Sequence, residues 1–447
     1  MKNLLCLLML SMSLNLAWGQ TQPASLTAED ILVSGPMVGY AEMREVMLWV
    51  QTNGPANVYV TYSTGQDAPV YRTETYATRG EQAYTARLVA NQVQPGTVYT
   101  YKLFINGQEI ERPYALTFQT PPLWQYRTDP PEMKIAFGSC VFINDEPYDR
   151  PGKPYGGDYR IFESIHKMRP DLMLWLGDNT YLREADWFST TGIIHRFTHS
   201  RQVEEMQPLL ASTSNYAIWD DHDYGPNNSD FTFRAKDVTR KAFQLFWGNP
   251  TYGVDRQGGI TSYFEWGDAA FFMLDNRSFR DPNDKTTETR SILGEKQLDW
   301  LLNALISSNA TWKFVMVGGQ MINSFPGFEN HAAIAPEERQ KILDHIVAEE
   351  IRNVIFLTGD RHHSEISKYE KEGIAIYDFT SSPLTSGAAN FPDEANELRE
   401  GESYIGERNF GMLELSGARK SRVAKLTFYD VDGKSLHTYE VKAAYKE

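Results

Sequence analysis

A change of pattern near residue 133 constrains the fold more than any other feature of the chain. Beyond it, apolar runs of strand length alternate with segments of helical periodicity, which is typical of an α/β domain. The predicted strands are 134–137, 172–176, 217–219, 269–274, 313–317, 354–357 and 374–379. The predicted helices between them are 159–168, 203–210, 235–246, 295–305 and 336–349. We expect this domain to cover residues 132–445, ending in alternating strands over 410–441 with a hairpin turn at Asp432-Gly433.

The preceding part of the chain has a different period. From about residue 31 to 120, short runs of alternating character, such as 46–50 and 58–62, are separated by turn residues at regular intervals. This pattern predicts an all-β, fibronectin-like sandwich domain, which we place at residues 27–121. A turn leads from Gln94 into an aromatic strand, which predicts a tyrosine corner at Tyr99. We expect this domain to serve in packing or in positioning other parts of the chain, because its sequence contains no paired acids, no His cluster and no Gly-rich loop.

The first residues have the features of a signal peptide. A short basic start precedes an apolar run over residues 4–16, and small residues stand at positions 17 and 19. We predict a signal peptide over 1–19 and a mature chain that begins at Gln20. No later stretch reaches the roughly 20 apolar residues that a membrane span needs. The expected location is therefore periplasmic or extracellular, without a membrane span.

The charge balance excludes one class of partner. The chain has 43 Lys and Arg against 58 Asp and Glu, a formal net charge of −15. Affinity for nucleic acid is dominated by Lys and Arg that displace counterions from the phosphate backbone. We therefore expect no binding to a nucleic-acid backbone, and we interpret the acidic surplus as solvated surface.

Polar sequence that a hydrophobic core cannot use follows five of the predicted strands. The five endings are 138–140 (Gly-Ser-Cys), 177–181 (Gly-Asp-Asn-Thr-Tyr), 220–223 (Asp-Asp-His-Asp), 319–320 (Gly-Gln) and 359–363 (Gly-Asp-Arg-His-His). Each alone is an ordinary turn, but the carboxyl ends of strands in open α/β sheets form ligand crevices. Carboxylates at this density repel one another unless cations neutralise them, and thiol, phenol and imidazole are also metal donors. The sequence therefore predicts a metal cluster with Asp178 as a bridging ligand.

The order of these motifs resembles a known family. Six motifs occur along the chain in this order: Gly-Ser-Cys, Leu-Gly-Asp-Asn-Thr-Tyr, Trp-Asp-Asp-His-Asp, Leu-Asp-Asn-Arg, Gly-Gly-Gln and Thr-Gly-Asp-Arg-His. Their order resembles that of the alkaline phosphatase D (PhoD-like) branch of the calcineurin-like metallophosphoesterases. The resemblance implies a metallophosphatase-type αββα sandwich preceded by the small all-β domain. It also implies an enzyme that hydrolyses phosphate monoesters or diesters of small molecules through a metal-bound hydroxide.

The same resemblance assigns roles to individual residues. It implies a ferric ion, Fe3+, held by Cys140, Asp178, Tyr181 and His362. It implies a second divalent metal, Ca2+, held by Asp178, Asp221 and Asp360. His222 is the implied general acid or charge stabiliser for the leaving oxygen. The candidates to grip phosphate oxygens are Arg196 and Arg277.

Several residues keep a second interpretation. Cys140 is the only cysteine left after signal removal, and it is either a metal ligand or a small buried hydrophobe. Gln320 either ligates through its amide oxygen or hydrogen-bonds a neighbour. We expect structural roles for Asn227, Asn228, His195 and His363. The segments 147–157 and 182–187 suggest a subgroup with a pocket of its own.

Two other functions remain open at this point. The same metal centre suits a phosphodiesterase or a phospholipase-type enzyme, because both reactions need the same clamp on phosphate. A binding or adhesion protein would rely on the all-β domain and would have lost metal-ligating residues, but none is missing here. The sequence carries no signal for an oligomeric state.

Overall fold

The computed structural model describes residues 27–254 and 258–446. The predicted signal peptide, 1–19, and the predicted mature start at Gln20 lie outside the described residues. Within the described ranges, no helix has both the length and the apolar character needed to cross a membrane.

Nine strands form two antiparallel sheets in the N-terminal part. The strands are β1 Leu32–Ala41, β2 Val46–Thr52, β3 Asn57–Ser63, β4 Tyr71–Arg72, β5 Tyr76–Ala77, β6 Thr85–Ala90, β7 Val98–Ile105, β8 Gln108–Ile110 and β9 Thr117–Gln119. One sheet has the order β1-β2-β6 and the other β4-β3-β7-β8, while β5 pairs with β3 and β9 with β7. Side chains of β3 and β7 alternate between buried and more exposed positions, so the inward faces fill the core. Every residue of β2 is buried, because its second face packs on the α/β part of the chain, where Trp49 contacts Leu245.

The predicted tyrosine corner is present at one end of this sandwich. The hydroxyl of Tyr99 accepts a hydrogen bond of 2.8 Å from the backbone N–H of Gln94. The Tyr99 ring is buried and stacks on Phe118 with 5.1 Å between ring centroids. The bond fixes the turn that leads into β7, as expected from the sequence.

Twelve further strands form two six-stranded sheets. They are β10 Met133–Gly138, β11 Leu172–Leu176, β12 Ser214–Ile218, β13 Ser262–Trp266, β14 Ala269–Met273, β15 Trp312–Met316, β16 Val354–Thr358, β17 Glu365–Lys371, β18 Ile374–Thr380, β19 Asn409–Ser416, β20 Val423–Asp430 and β21 Ser435–Lys442. The orders are β12-β11-β10-β19-β20-β21 and β13-β14-β15-β16-β18-β17. The strands β10, β11 and β12 run parallel, as do β14, β15, β16 and β18.

The described residues also form nine α-helices. They are α1 Ala28–Ile31, α2 Arg160–Lys167, α3 Thr190–Arg201, α4 Gln207–Ser212, α5 Asp221–Tyr224, α6 Lys236–Phe246, α7 Glu295–Ser307, α8 His331–Ile334 and α9 Pro336–Ala348. Of these, α7 and α9 cover the outer face of the second sheet, and α1 contacts the N-terminal strands β1 and β8. One face of the second sheet, including Phe271 and Phe314, joins the core shared with the first sheet. Its other face, including Phe272 and Phe356, packs under α7 and α9. The result is two sheets face to face with helices outside.

Most predicted elements are found within a few residues of their expected ends, and the exceptions have physical causes. The strand expected at 217–219 is β12, which begins at Ser214 because the buried side chain of Asn215 is satisfied by the backbone oxygen of Val38 and by the indole of Trp175. The helix expected at 203–210 is divided into a 3-10 turn, Glu204–Met206, and α4. The helix α3 was not predicted, because its polar and β-branched residues give no clear apolar stripe.

We predict that the hydrogen bond of the tyrosine corner contributes to the free energy of unfolding. Changing Tyr99 to Phe should lower the free energy of unfolding by about 1 kcal/mol, because one hydrogen bond is lost while the ring keeps its packing. Urea unfolding followed by tryptophan fluorescence measures the difference. Tyr126→Phe is the matched control, since that side chain is 94% exposed. Equal stability of all three proteins would contradict a structural role for the corner.

Candidate metal centre

The polar strand endings of both sheets meet at one edge of the double sheet. The backbone N–H of Gly359, after β16, donates to the carbonyl of Gly318, after β15. A Cβ on Gly359 would lie 2.5 Å from the side chain of Ser139, after β10 in the other sheet. A Cβ on Gly318 would lie 2.6 Å from the Asp220 carboxylate. Glycine is therefore required at these two positions for the endings of the two sheets to come together.

All six predicted metal ligands lie in this crevice. Cys140, Asp178 and His362 each offer a ligand atom within 4.8 Å of the others. The hydroxyl of Tyr181 is 3.2 Å from Nε2 of His362, so the phenol faces the same group. A second group, Asp220, Asp221 and Asp360, also lies within 4.8 Å.

His222 lies at the junction of the two groups. With Asp178 and Asp221 it forms a further set whose ligand atoms lie within 4.8 Å of one another. Its ring stacks on Tyr181, with 4.3 Å between centroids. Its backbone N–H donates to Oδ1 of Asp178 over 3.2 Å. The structure therefore places His222 beside two predicted ligands, where its ring is able to donate a proton or to bind an ion.

Four of these residues adopt a backbone conformation that side chains other than glycine rarely take. The φ angles are +62° at Cys140, +52° at Asp178, +69° at Asp360 and +56° at His362. Such left-handed residues are uncommon and cost free energy, of order 1–3 kcal/mol when strained, and they cluster at functional sites. Each follows a strand end, so the left-handed turn directs the side chain into the crevice.

Burial makes Asp178, Asp360 and Cys140 hard to ionise without a cation, whereas the neighbouring His222 and Arg277 help to lower the pKa of Asp221. Burial and the neighbouring Asp221 charge raise the pKa of Asp178 well above its usual range, and burial with the Asp220 charge does the same to the pKa of Asp360. Burial raises the pKa of the Cys140 thiol to about 12, although the hydroxyls of Ser139 and Ser382 oppose it. A bound cation would reverse these shifts, because it favours the ionised form of every donor.

Unpartnered oxygens support the same conclusion. Within the described residues, Oδ2 of Asp220, Oδ1 of Asp221 and Oδ1 of Asn276 are buried and have no hydrogen-bond partner. Buried polar atoms are rarely left unsatisfied, and lone acceptors facing one crevice suit a cation. The donor set of thiol, phenol, carboxylate and imidazole fits a transition metal, and the all-oxygen set fits a harder cation.

Arg277 supplies the positive charge that directly contacts the acid cluster. Its Nε donates to Oδ1 of Asp220, its Nη2 lies 3.0 Å from Glu329, and Asp221 is 4.0 Å away. The side chain is 1% exposed. Although burial lowers the pKa of Arg277, the charges of Asp220 and Glu329 outweigh it and raise that pKa above the usual value. The contact of Arg277 with substrate stays a prediction.

Arg196 lies in α3 and contacts none of the predicted metal ligands in the described residues. It is fully buried, and its guanidinium pairs with Asp186 at 2.8 Å and with Asp145 at 3.1 Å. Its Nη2 has no partner among the described residues. These contacts hold the segments around residues 145 and 186 together, and the predicted grip on phosphate remains a prediction.

The structure shows the neighbours of Gln320 and of the residues expected to have structural roles. Gln320 is fully buried and exchanges hydrogen bonds with Arg361, Asn323 and Glu365, which favours the hydrogen-bonding alternative. Asn228 has a φ of +63°, and its backbone N–H donates to Asp221. The buried His363 lies 3.6 Å from Glu365, and neither of its ring nitrogens has a hydrogen-bond partner among the described residues. The exposed His195 lies 3.4 Å from Asp145. The structural roles expected for Asn227, Asn228, His195 and His363 stay predictions.

Three further side chains contact the predicted ligands. Ser382 donates to the Cys140 sulfur at 3.2 Å and accepts from the backbone N–H of His362 at 2.9 Å. Ser386 lies 3.3 Å from the Tyr181 hydroxyl, and Tyr155 lies 2.9 Å from Nδ1 of His362. The hydroxyl-rich run 380–386 after a predicted strand was a signal for the serines, whereas the sequence marked only the whole segment 147–157 around Tyr155.

Known proteins match this chain in sequence and in fold. The family model of the PhoD-like phosphatases matches residues 136–418, which is more than half of the chain, and a model of a domain of unknown function (DUF7800) matches residues 29–123. The chain belongs to the PhoD-like phosphatase family, so the resemblance seen in the sequence is confirmed. Alkaline phosphatase D of Bacillus subtilis (strain 168) is 24% identical over 378 residues. That alignment covers 71% of this chain, and the chain spans 61% of the length of that curated relative.

Two solved structures share the architecture. A structure of PhoD has a TM-score of 0.73 and 17% identity, with 93% of each chain covered. A purple acid phosphatase from yellow lupin (Lupinus luteus) seeds has a TM-score of 0.68 and 12% identity, covering 92% of this chain and 74% of that one. The predicted fold class, a metallophosphatase-type α/β sandwich behind a small all-β domain, is confirmed.

The position of Arg277 predicts a large loss of stability on its removal. Arg277→Gln should lower the free energy of unfolding of the metal-free protein by about 3–5 kcal/mol, because Asp220 and Glu329 lose their buried counter-charge. Arg240→Gln is the control, since Arg240 pairs at 3.0 Å with Asp237, which is 77% exposed, and should cost less than about 1 kcal/mol. Chemical denaturation of the three proteins in chelator tests this, and equal losses would show that Arg277 is not the required counter-charge.

Proposed function

We propose that this protein is an exported, metal-dependent hydrolase of phosphate monoesters, diesters or both. One observation carries the proposal: two donor groups meet at the strand ends of a PhoD-like fold, one with Asp178 and the other with Asp221, and His222 lies within 4.8 Å of both residues. Two cations held this way are the arrangement that clamps a phosphoryl group. The match to alkaline phosphatase D supports the reaction class.

The donor sets suggest how two ions would be held. We assign Fe3+ to Cys140, Asp178, Tyr181 and His362, because thiolate and phenolate donate strongly to a ferric ion. We assign a second ion, Ca2+, to Asp178, Asp221 and Asp360, with the Asp220 carboxylate beside it. When bound, such a pair polarises phosphoryl oxygens and lowers the pKa of water.

The protein's own part in the reaction centres on His222. Burial lowers the pKa of His222, and the adjacent Asp221 carboxylate offsets only part of this shift. The imidazolium form carries the proton that a departing alkoxide needs. Stacking on Tyr181 and the backbone bond to Asp178 hold the ring in place. We propose that His222 gives this proton to the leaving oxygen.

Leaving-group dependence tests this role. His222→Ala should reduce kcat by roughly 10²–10⁴-fold on alkyl phosphates, because their alkoxide leaves poorly without a proton. The loss should be much smaller on nitrophenyl phosphate, whose leaving group needs no proton. Steady-state kinetics on both ester classes, with metal content measured in the same samples, give the answer.

Two results would contradict the assignment. Equal losses on both ester classes would show that His222 stabilises phosphoryl charge and donates no proton. Loss of metal from His222→Ala would make His222 a ligand, which its 4.8 Å grouping with Asp178 and Asp221 also allows. His195→Ala is the control, because that ring is half exposed and contacts Asp145, which belongs to none of the ligand groups.

A substitution at Cys140 tests whether this residue is a metal ligand or only a packed side chain. If it binds the metal, Cys140→Ser should lose iron and nearly all turnover, and thiol reagents should label the native protein only after chelation. Val141→Ala is a matched control, since Val141 is 1% exposed and should lose stability but keep its metal. Metal analysis and thiol labelling measure both. Rapid labelling of the metal-loaded protein would overturn the proposed ligation.

The choice between monoesters and diesters needs a substrate panel. Phosphate release from alkyl, aryl and nucleoside monoesters, compared with alcohol release from matched diesters and phospholipids, ranks the activities in one experiment. Preference for diesters would favour the phosphodiesterase or phospholipase alternative at the same centre. A fully metal-loaded protein without turnover on any ester would favour a binding protein.

We also propose the domain division and the export route. Residues 27–121 and 132–445 are assigned to two domains, supported by separate family matches at 29–123 and 136–418. Residues 1–19 are assigned to a signal peptide. Mass spectrometry of the full-length gene product should find Gln20 at the N-terminus of the exported protein, and a retained Met1 would contradict cleavage.

A further inference from the structure

The imidazole of His362 lies between two phenols. Its Nε2 is 3.2 Å from the hydroxyl of Tyr181, inside the crevice with Cys140 and Asp178. Its Nδ1, on the opposite side of the ring, is 2.9 Å from the hydroxyl of Tyr155. Both ring nitrogens therefore have a defined neighbour, and only one of them faces the other proposed ligands.

This arrangement decides which nitrogen can bind an ion. A metal on Nε2 excludes a proton there, so a neutral imidazole must carry its proton on Nδ1. That N–H then donates to the Tyr155 hydroxyl oxygen. Partners of this kind hold a metal-binding histidine in one tautomer and one ring orientation.

Tyr155 is held in place by several neighbours. On one side, the backbone of Gly156 exchanges two hydrogen bonds with the Asn144 amide, of 2.9 and 3.0 Å. On the other, Gly387 leaves room for the ring, since a Cβ there would lie 2.8 Å from Tyr155 Cε2. The ring also packs edge-on against Phe142, at 4.9 Å, and Phe142 in turn contacts Tyr181 at 5.1 Å.

We propose that Tyr155 is a positioning residue that orients His362 for metal binding. The inference rests on the proposed function, because it requires an ion at His362. It makes segment 147–157, which follows the first strand ending, part of the metal centre. The Tyr155 side chain is 45% exposed, so this contact reaches the ligand from the solvent side.

Metal affinity tests the proposal directly. Tyr155→Phe removes only the hydroxyl, and loss of such a partner weakens metal binding by roughly 10–100-fold. Competition between the full-length protein and a chelator for iron, and for Zn2+ as a second probe, measures the change. The melting temperature of the metal-free protein should stay unchanged, while the increase on adding metal should shrink.

Two variants complete the experiment. Tyr148→Phe is the control, because Tyr148 lies in the same segment and its ring contacts His195, at 5.8 Å, rather than a proposed ligand. Gly387→Ala keeps the hydroxyl but should displace the ring, and it should weaken metal binding like Tyr155→Phe. If Tyr155→Phe lowered the metal-free melting temperature, the metal affinity of Gly387→Ala would test the positioning role in its place.

The possible failures are distinguishable. If the native protein binds no metal, the proposed function is wrong, and the role of Tyr155 falls with it. If the native protein binds metal and both Tyr155→Phe and Gly387→Ala bind it equally well, only the positioning role is wrong. A Tyr148→Phe variant as weak as Tyr155→Phe would also overturn it, because the effect would then belong to the whole segment.

Discussion

The repulsion between buried carboxylates at the meeting edge of the two sheets is the constraint on which the rest of the site depends. Asp178, Asp220, Asp221 and Asp360 lie together, and Arg277 is the cation that contacts this cluster directly. Charges removed from water need compensation nearby, and one guanidinium cannot balance four carboxylates. The proposed cations would supply the missing positive charge, and the unpartnered oxygens of Asp220 and Asp221 are available to bind them. The proposed reaction uses the same ions.

The ends of packed β-strands hold this cluster of repelling carboxylates together. Parallel strands from both sheets end in left-handed residues that direct Cys140, Asp178 and His362 into the crevice. The cost of those conformations is met by the buried cores on both faces of the second sheet. Strand ends on packed sheets position ligands more tightly than free loops do, which suits a site that must hold ions before substrate arrives.

The all-β part contributes by packing rather than by chemistry. The Trp49 indole donates to the carbonyl of Leu245, next to the end of α6, and the Tyr101 hydroxyl donates to the carbonyl of Ala211 in α4. Asn215, in β12, donates to Val38 in β1. These bonds are buried or half-buried, so the N-terminal sheets stabilise the strand whose end carries Asp220 and Asp221. This agrees with the positioning role expected from its sequence.

The sequence by itself determined the fold class, the tyrosine corner at Tyr99 and the set of residues that meet at the strand ends. Those features depend on the spacing of apolar residues along each element and on the residues directly after each strand. Both can be read from short stretches of sequence. The tertiary structure alone decided which of these side chains become neighbours. Arg277 meets Glu329 and Tyr155 meets His362, pairs that lie 52 and 207 residues apart. Arg277 and His362 stand in motifs, but their partners Glu329 and Tyr155 do not, because such contacts arise only when distant loops fold onto one edge of the double sheet.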